Sequence, residues 1–330
     1  MNKYLIKFFN FKILQNSKIV YIAILYSFIF INLPFIPLIQ KQNQDIENYV
    51  IRIIHLTTQD TDIINFYDWI SNEPIWTYIL EWISISFNAP ENGLLFISFC
   101  SLIIVNVYLL KRINLLLHTI FLFNPIIIDL FIAQIRSGFA ASICLIALMV
   151  NNKWLILLLL VIASLIHKVT LFLFFIYIIS KFLDAKGNKF ELIKPDILAL
   201  FFSLLLSITL YSNGYNLLDA TNDRRAENVF SETNSFSYLI FWLLLSIGLS
   251  LFTKKNQKSI EYWMHYYSII MLSLPLFLGI FNINGMRFIA LSFTIILVTI
   301  SRTNIKIKPH FFIGLFAHQV IQYIYWLKTF

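Results

Sequence analysis

Charged residues are scarce in this chain. They make up 13 % of its 330 residues, whereas hydrophobic residues make up 59 %. Soluble domains carry roughly 25 % charged residues, about twice this share. Apolar runs near the length of about 20 residues that crosses a bilayer recur along the whole sequence. The composition excludes a conventional soluble domain and predicts an all-α, polytopic integral membrane helical bundle.

Motifs for cytoplasmic chemistry are also missing. The sequence has no glycine-rich phosphate loop, no Ser-His-Asp order and no recognisable metal-binding pattern. Its two cysteines, Cys100 and Cys144, lie inside apolar runs, where packing is the expected role. We therefore expect no cofactor and no metal. The net charge is +8, but the positions of the positive residues fit the loops of a membrane protein. Nucleic acid is therefore not an expected partner.

The amino terminus predicts the orientation of the chain. Lysines before residue 19 precede an apolar run at 19–39, which is too long for a signal peptide and lacks a small-residue cleavage site. We interpret residues 1–18 as a cytoplasmic basic segment and 19–328 as a single transmembrane domain. About 11 spans are expected, within a range of 10 to 12. The candidates are 19–39, 92–110, 113–132, 137–152, 153–167, 169–183, 196–212, 236–252, 260–281, 286–301 and 311–328.

The distribution of charge supports this layout. With the amino terminus inside, 17 of the 25 lysines and arginines but only 4 of the 17 acidic residues fall on the cytoplasmic side. This asymmetry is the positive-inside pattern. Two outer segments are longer than the other loops, namely 40–91 and 213–235.

The first outer segment is expected to contain interfacial helices. Ile46, Val50 and Ile53 share one face of a helix and Arg52 lies opposite, a pattern typical of a helix in the interface plane. The apolar stretch 74–87 is interpreted as a re-entrant or interfacial helix, because counting it as a span would move the next basic loop outside. A true crossing, and twelve spans, is the alternative.

Arginine is concentrated on the outer side. Five of the 8 outer cations are arginine, against 2 of the 17 inner ones. Lysine suffices for topology, whereas arginine binds phosphate or carboxylate through two parallel hydrogen bonds. Arg136 and Arg287 each lie at the start of an apolar helix, where the positive end of the helix dipole disfavours a cation. An anion bound at this end would compensate for both positive charges. These residues predict an outer anion site; snorkelling to lipid headgroups is the alternative.

Four short motifs follow one another over roughly residues 40–180. They are Asp45-x-x-x-Tyr49 after the first span, Glu73-Pro74, Gln134-Ile135-Arg136-Ser137-Gly138-Phe139-Ala140, and His167 before an apolar helix. In this order and spacing they resemble the EpsG/Wzy-type family of polysaccharide polymerases. The carboxyl-terminal half matches in topology and in Arg287.

The resemblance implies a bacterial inner-membrane enzyme that polymerises undecaprenyl-diphosphate-linked oligosaccharide repeat units on the periplasmic face. Its product would be O-antigen or a similar surface polysaccharide, as in lipopolysaccharide. The substrate and membrane lipid are the expected partners, together with a flippase and a chain-length regulator. This glycosyltransferase chemistry needs a group that stabilises the departing diphosphate and a base near the acceptor hydroxyl.

Candidate roles follow from this chemistry. We expect Arg136 and Arg287 to bind the diphosphate, and the loop pair Arg224 and Arg225 to assist. The candidate bases are Glu73, Asp68 and His167.

Three other functions stay open at this stage. A lipid-linked oligosaccharide flippase is one, although no repeat relates residues 1–165 to 166–330. Another lipid-diphosphate-sugar transferase, such as an O-antigen ligase, shares the substrate and differs in its acceptor. A non-enzymatic partner in polysaccharide export is the third.

Overall fold

The computed structural model describes residues 17–34, 36, 44–56, 73–186, 194–219, 236–253, 262–281, 283–302 and 308–329. Over these residues the regular structure is helical and no β strand occurs. The all-α prediction is therefore confirmed for the described part of the chain. Nearly all of the predicted amino-terminal segment 1–18 and most of the outer loop 213–235 lie outside it.

The chain divides into two compact units, Met1–Phe172 and Leu173–Phe330. The described helices of the first unit are α1 (Ser17–Ile31), α2 (Gln44–Leu56), α3 (Pro74–Ser86), α4 (Pro90–Leu110), α5 (Leu115–Leu122), α6 (Pro125–Ile128), α7 (Ile135–Met149) and α8 (Lys153–Ile166). The boundary between the units falls within α9 (Val169–Lys186). The second unit continues with α10 (Pro195–Asp219), α11 (Phe236–Phe252), α12 (Tyr262–Ile280), α13 (Met286–Arg302) and α14 (Lys308–Thr329).

Each of the eleven apolar stretches predicted as spans contains helix, but the predicted number of spans is not supported. Of the described helices, Pro90–Leu110, Pro195–Asn213 and Tyr262–Ile280 are long and apolar enough to cross a membrane. A fourth span results if the bent pair Leu115–Leu122 and Pro125–Ala133 is counted as one. Four further apolar helical stretches are shorter, namely Ser17–Ile31, Ile135–Met149, Lys153–Ile166 and Tyr238–Phe252. Helix α3, with 13 residues, extends about 20 Å against a hydrocarbon core of about 30 Å.

The predicted span 113–132 is not one straight helix. Its two parts are bent by 65° at Phe123 and Asn124, and a π-helical segment, Asp129–Ala133, follows α6. The Asn124 side chain accepts a hydrogen bond from the Ile126 N–H, and Pro125 occupies the first helical position. Both residues favour the start of a new helix, so the Asn-Pro pair explains the break.

In the first unit, α4 and α7 pack against each other; α1 also packs against α4, and α8 against α7. Buried polar side chains fix the register of α1, α4 and α5. Asn106 donates to Ser27 Oγ at 2.8 Å and accepts from His118 Nε2 through Oδ1 at 2.9 Å. Buried polar groups are stable only when they are paired. The network therefore holds α4 in one position relative to its neighbours.

In the second unit, α12 is the central helix and packs against α10, α11 and α13. Hydroxyl groups link it to its neighbours: Tyr267 pairs with Ser292 of α13 at 2.9 Å, and Ser203 of α10 donates to the Ile270 carbonyl at 3.1 Å. Such hydroxyl contacts are common where apolar helices approach closely.

Candidate functional site

Glu73 occupies the position immediately before α3. Its backbone has φ 54° and ψ 66°, and it is the one described non-glycine residue with positive φ. This conformation costs of order 1–3 kcal/mol and persists where the surroundings impose it. The side chain is buried, with 4 % of the residue exposed. A buried carboxylate on a strained backbone needs specific partners.

Three donors supply those partners. Arg136 Nη1 donates to Glu73 Oε2 in a close ion pair. His167 Nδ1 donates to Glu73 Oε1 at 2.9 Å, and the backbone N–H of Lys168 donates to the same oxygen at 3.1 Å. Glu73, Arg136 and His167, three of the residues proposed from sequence, therefore form one cluster, which we call the Glu73 cluster.

Local structure explains how the donors reach Glu73. Arg136 is the second residue of α7, directly after the π-helical segment. His167 ends α8 in an extended conformation, with φ −150° and ψ 115°. Its carbonyl accepts from the Thr170 hydroxyl at 2.7 Å at the start of α9. The break between the two apolar runs presents both the His167 ring and the Lys168 N–H to the carboxylate.

The Glu73 carboxyl is held in its ionised form. Burial alone would raise its pKa. The hydrogen bond from His167, the positive charge of Arg136, the charge of the His167 ring in its protonated form and the Lys168 N–H outweigh burial and lower this pKa from 4.5 to about 2. A carboxylate with such a low pKa is a weak proton acceptor at neutral pH. The environment therefore suits Glu73 to orienting His167 rather than to accepting a substrate proton.

The tautomer of His167 follows from this pairing. An ionised carboxylate only accepts hydrogen bonds, so whenever the imidazole is neutral its one proton lies on Nδ1. Nε2 then carries the lone pair of the ring. A histidine oriented by a carboxylate through Nδ1 is the arrangement that general bases use in many hydrolases and transferases.

Arg52 is a member of the site that sequence analysis did not assign to it. It extends from α2 and donates through Nη2 to Thr77 Oγ1 of α3 at 2.7 Å. Burial, and then the nearby charge of Arg136, lowers the pKa of Arg52. Its position on the polar face of an amphipathic helix, together with the preference for arginine on the outer side, was the available signal.

The other predicted site residues are Arg287, Asp68, Arg224 and Arg225. Arg287 is exposed in the first turn of α13, in the second unit, and Asn284 caps that helix by accepting from the Met286 N–H at 3.0 Å. Asp68, Arg224 and Arg225 lie outside the described residues. Within the described ranges no group of three or more His, Cys, Asp or Glu residues could hold a metal ion.

A second buried pair of titratable groups lies in the second unit. His265 Nε2 is 2.8 Å from Asp196 Oδ1, and both residues are buried. Sequence analysis gave His265 no role, because neither residue belongs to a motif and 69 positions separate them. The pair joins the first turns of α10 and α12 and gives those two helices a fixed register.

Gly138 allows α7 to approach the π-helical segment that precedes it. A Cβ atom at this position would lie 2.5 Å from the Leu130 carbonyl oxygen and 2.8 Å from Phe131 Cδ1. The oxygen belongs to the backbone and has no rotamer to change. Substitution must therefore displace the first turn of α7, which carries Arg136.

We expect Gly138→Ala to lower the free energy of unfolding by about 1–3 kcal/mol, the usual cost of overpacking. Heating the purified protein and measuring the remaining monodisperse fraction by fluorescence-detected size exclusion tests this expectation. Gly314→Ala is the matched control, since its Cβ would lie 3.9 Å from the nearest atom, Phe241 Cε2, and alanine favours helix. Equal melting temperatures for the two variants would contradict the prediction.

The low pKa of Glu73 predicts a pH dependence of stability. A depressed carboxyl pKa stabilises the fold above the unfolded value of 4.5 and loses this contribution as the pH falls towards about 2. The contribution is roughly 3 kcal/mol at 1.36 kcal/mol per pKa unit. The melting temperature in detergent should therefore fall between pH 4.5 and 3. Glu73→Gln should flatten this part of the curve, whereas the exposed Glu91→Gln should not.

Comparisons with protein-family models, with curated proteins and with solved structures found no match to this chain.

Proposed function

We propose that this protein polymerises undecaprenyl-diphosphate-linked oligosaccharide repeat units into a surface polysaccharide such as O-antigen. The observation that carries the proposal is the Glu73 cluster. It combines an oriented histidine with a guanidinium group, brought together from positions 63 and 94 residues from Glu73. A base for the acceptor hydroxyl and a cation for the leaving diphosphate are the two groups that this transfer requires.

The transfer is a substitution at the anomeric carbon of the growing chain. The acceptor hydroxyl gives its proton to His167 Nε2 while its oxygen forms a bond to that carbon. The bond between the anomeric carbon and the diphosphate oxygen breaks, and the electron pair leaves with the diphosphate. Arg136 stabilises the developing negative charge. The proton on His167 is then released to water, which returns the ring to its starting tautomer.

The remaining residues have supporting roles in this proposal. Glu73 orients the imidazole and stabilises the imidazolium ion that forms during transfer. Arg287, Arg224 and Arg225 are retained as candidate residues for binding the diphosphate or the glycan. Asp68 is retained as a second candidate for the base.

The proposed location is the bacterial inner membrane, with the amino terminus in the cytoplasm and the Glu73 cluster at the periplasmic face. About 11 spans fit the charge asymmetry, with short apolar helices extended at their ends by polar residues. Helix α3 lies at the outer surface without crossing. A flippase would supply the substrate from the cytoplasmic side, and a chain-length regulator would act on the same growing polymer.

The glycan ladder of a strain that lacks the gene tests this function. If the deletion leaves the core with a single repeat unit and complementation restores the ladder on a silver-stained gel, the protein polymerises. If the deletion removes even the single repeat, the protein acts in flipping or ligation and the proposal fails.

A further inference from the structure

The Glu73 cluster and the neighbouring Arg52 together carry more positive than negative charge. Arg52 and Arg136 contribute two guanidinium groups, and Glu73 is the one carboxylate among the described residues that forms an ion pair with either of them. Glu81 adds only a minor favourable interaction with Arg52. Burial of two like charges beside one carboxylate is costly unless a further negative charge is present.

Most of the acceptor capacity of Glu73 is already in use, since three donors occupy about four lone-pair sites. Oε2 accepts from Arg136, and Oε1 accepts from both His167 and Lys168. Arg52 instead reaches the neutral hydroxyl of Thr77 and forms no ion pair with any carboxylate in the part of the chain that the structure describes. A guanidinium group has five N–H donors, so most of those on Arg52 are available to a ligand.

Two buried N–H donors have no hydrogen-bond partner among the described residues. One is Nε of Arg136 itself, and the other is the indole Nε1 of Trp76. Trp76 is fully buried, with 0 % exposed. Buried donors without partners are rare in native proteins, and an ion or ligand is one of the few physical explanations for them.

The ring of Tyr49 links these groups in space. Its centroid lies 5.3 Å from the centroid of the Trp76 ring, and Arg136 Cζ lies 5.9 Å from it. Arg52 lies one turn further along the same helix as Tyr49 and bonds to the residue that follows Trp76. Surplus cations and unpaired donors thus gather around one aromatic side chain.

We infer that Arg52, Arg136 and the indole N–H of Trp76 bind the phosphate oxygens of an anionic ligand. The ionised oxygens of a phosphate or diphosphate group accept hydrogen bonds, so they match a site that offers donors and positive charge. Identifying the ligand as the diphosphate of a lipid-linked glycan rests on the proposed function. The phosphate site itself does not.

This inference gives helix α2 a specific task. Its apolar face is suited to lie in the membrane interface, and its polar face carries Arg52. A diphosphate at the end of a lipid chain is confined to the same depth of the membrane. The helix would therefore present a phosphate-binding group where the headgroup of such a substrate must lie.

Isothermal titration of the full-length protein in neutral detergent, with inorganic pyrophosphate at constant ionic strength, tests the site. The wild type should bind saturably, and Arg52→Gln should bind about tenfold more weakly or worse, since a charge-assisted contact is lost. Trp76→Phe keeps an aromatic ring and removes only the N–H donor and the second ring, and should weaken binding by a similar factor.

Lys153→Gln is the matched control. It removes one positive charge from the first residue of α8, about 20 Å along the helix from His167, and should bind as the wild type does. Normal binding by both Arg52→Gln and Trp76→Phe would overturn the inference, as would a loss in Lys153→Gln equal to that in Arg52→Gln.

A second titration, with short-chain phosphatidylglycerol, distinguishes a substrate diphosphate from a membrane-lipid headgroup. Arg52-dependent binding of pyrophosphate supports the substrate source. Arg52-dependent binding of phosphatidylglycerol alone supports the phosphate site and overturns that source. If pyrophosphate binding needs Arg52 while a deletion strain makes a normal glycan ladder, the inference stands and the proposed function fails. If both Arg52→Gln and Trp76→Phe bind pyrophosphate normally while the deletion strain leaves only a single repeat unit, the inference fails and the proposed function stands.

Discussion

Replacing His167 with asparagine is expected to abolish polymer formation while leaving the protein folded and inserted. The asparagine amide N–H can replace the Nδ1–H that donates to Glu73 Oε1 at 2.9 Å, so the carboxylate keeps this donor. The variant lacks a lone-pair nitrogen at the position of Nε2 and therefore has no base. Loss of general-base catalysis usually costs about 10²–10⁴-fold in rate.

Two measurements separate the base from a structural role. The glycan ladder of the complemented deletion strain reports polymerisation, and the melting temperature of the purified variant reports folding. His167→Leu is the companion variant, since it removes both the base and the donor to Glu73 and should lower stability as well as activity. A full ladder from His167→Asn would show that His167 acts only by holding Glu73.

Replacing Arg136 with alanine should remove the polymer and also destabilise the protein. Arg136 is paired with the buried Glu73 carboxylate, and breaking a buried ion pair from one side costs about 3–5 kcal/mol. Loss of a group that stabilises charge in the transition state costs about 10²–10³-fold in rate. The variant must therefore be shown to be inserted before its ladder is interpreted.

Arg136→Lys separates the two effects. Lysine keeps a positive charge for Glu73 but lacks the planar fork that binds phosphate through two hydrogen bonds. We expect a melting temperature close to that of the wild type and a ladder shortened to a few repeat units, with Lys153→Gln as the control that changes charge elsewhere. A wild-type ladder from Arg136→Ala, in protein that is inserted at normal levels, would contradict the assignment of Arg136 to the diphosphate.

The sequence was informative about individual residues of the site and uninformative about their pairing. Glu73, Arg136 and His167 were each named from short motifs and from arginine placement. The sequence could not predict that Glu73 pairs with Arg136 and His167. These partners lie 63 and 94 residues away, and the pairing depends on how α3, α7 and α8 pack. The consequence is chemical: the same carboxylate that sequence analysis considered as a base is held ionised with a lowered pKa.

Some features had a sequence signal that was not used. The Asn124-Pro125 pair marks a helix start, and it interrupts the stretch 113–132 that was interpreted as one span. Arg52 was placed on the polar face of α2 and counted among the five outer arginines, but it was not assigned to the site. Its inclusion in the site depends on the contact with Thr77, which no periodicity in either helix indicates.

By itself, the sequence determined that this chain is helical, that its helices are apolar and where most of them begin and end. These properties are local, since they depend on hydrophobic content, on charges near helix ends and on capping residues within a few positions of each other. The tertiary structure alone decided which buried charges meet, because an ion pair such as Arg136 with Glu73 joins residues far apart in the chain. It also decided which donors are left without partners, since the burial of Trp76 Nε1 and Arg136 Nε is a property of packed helices.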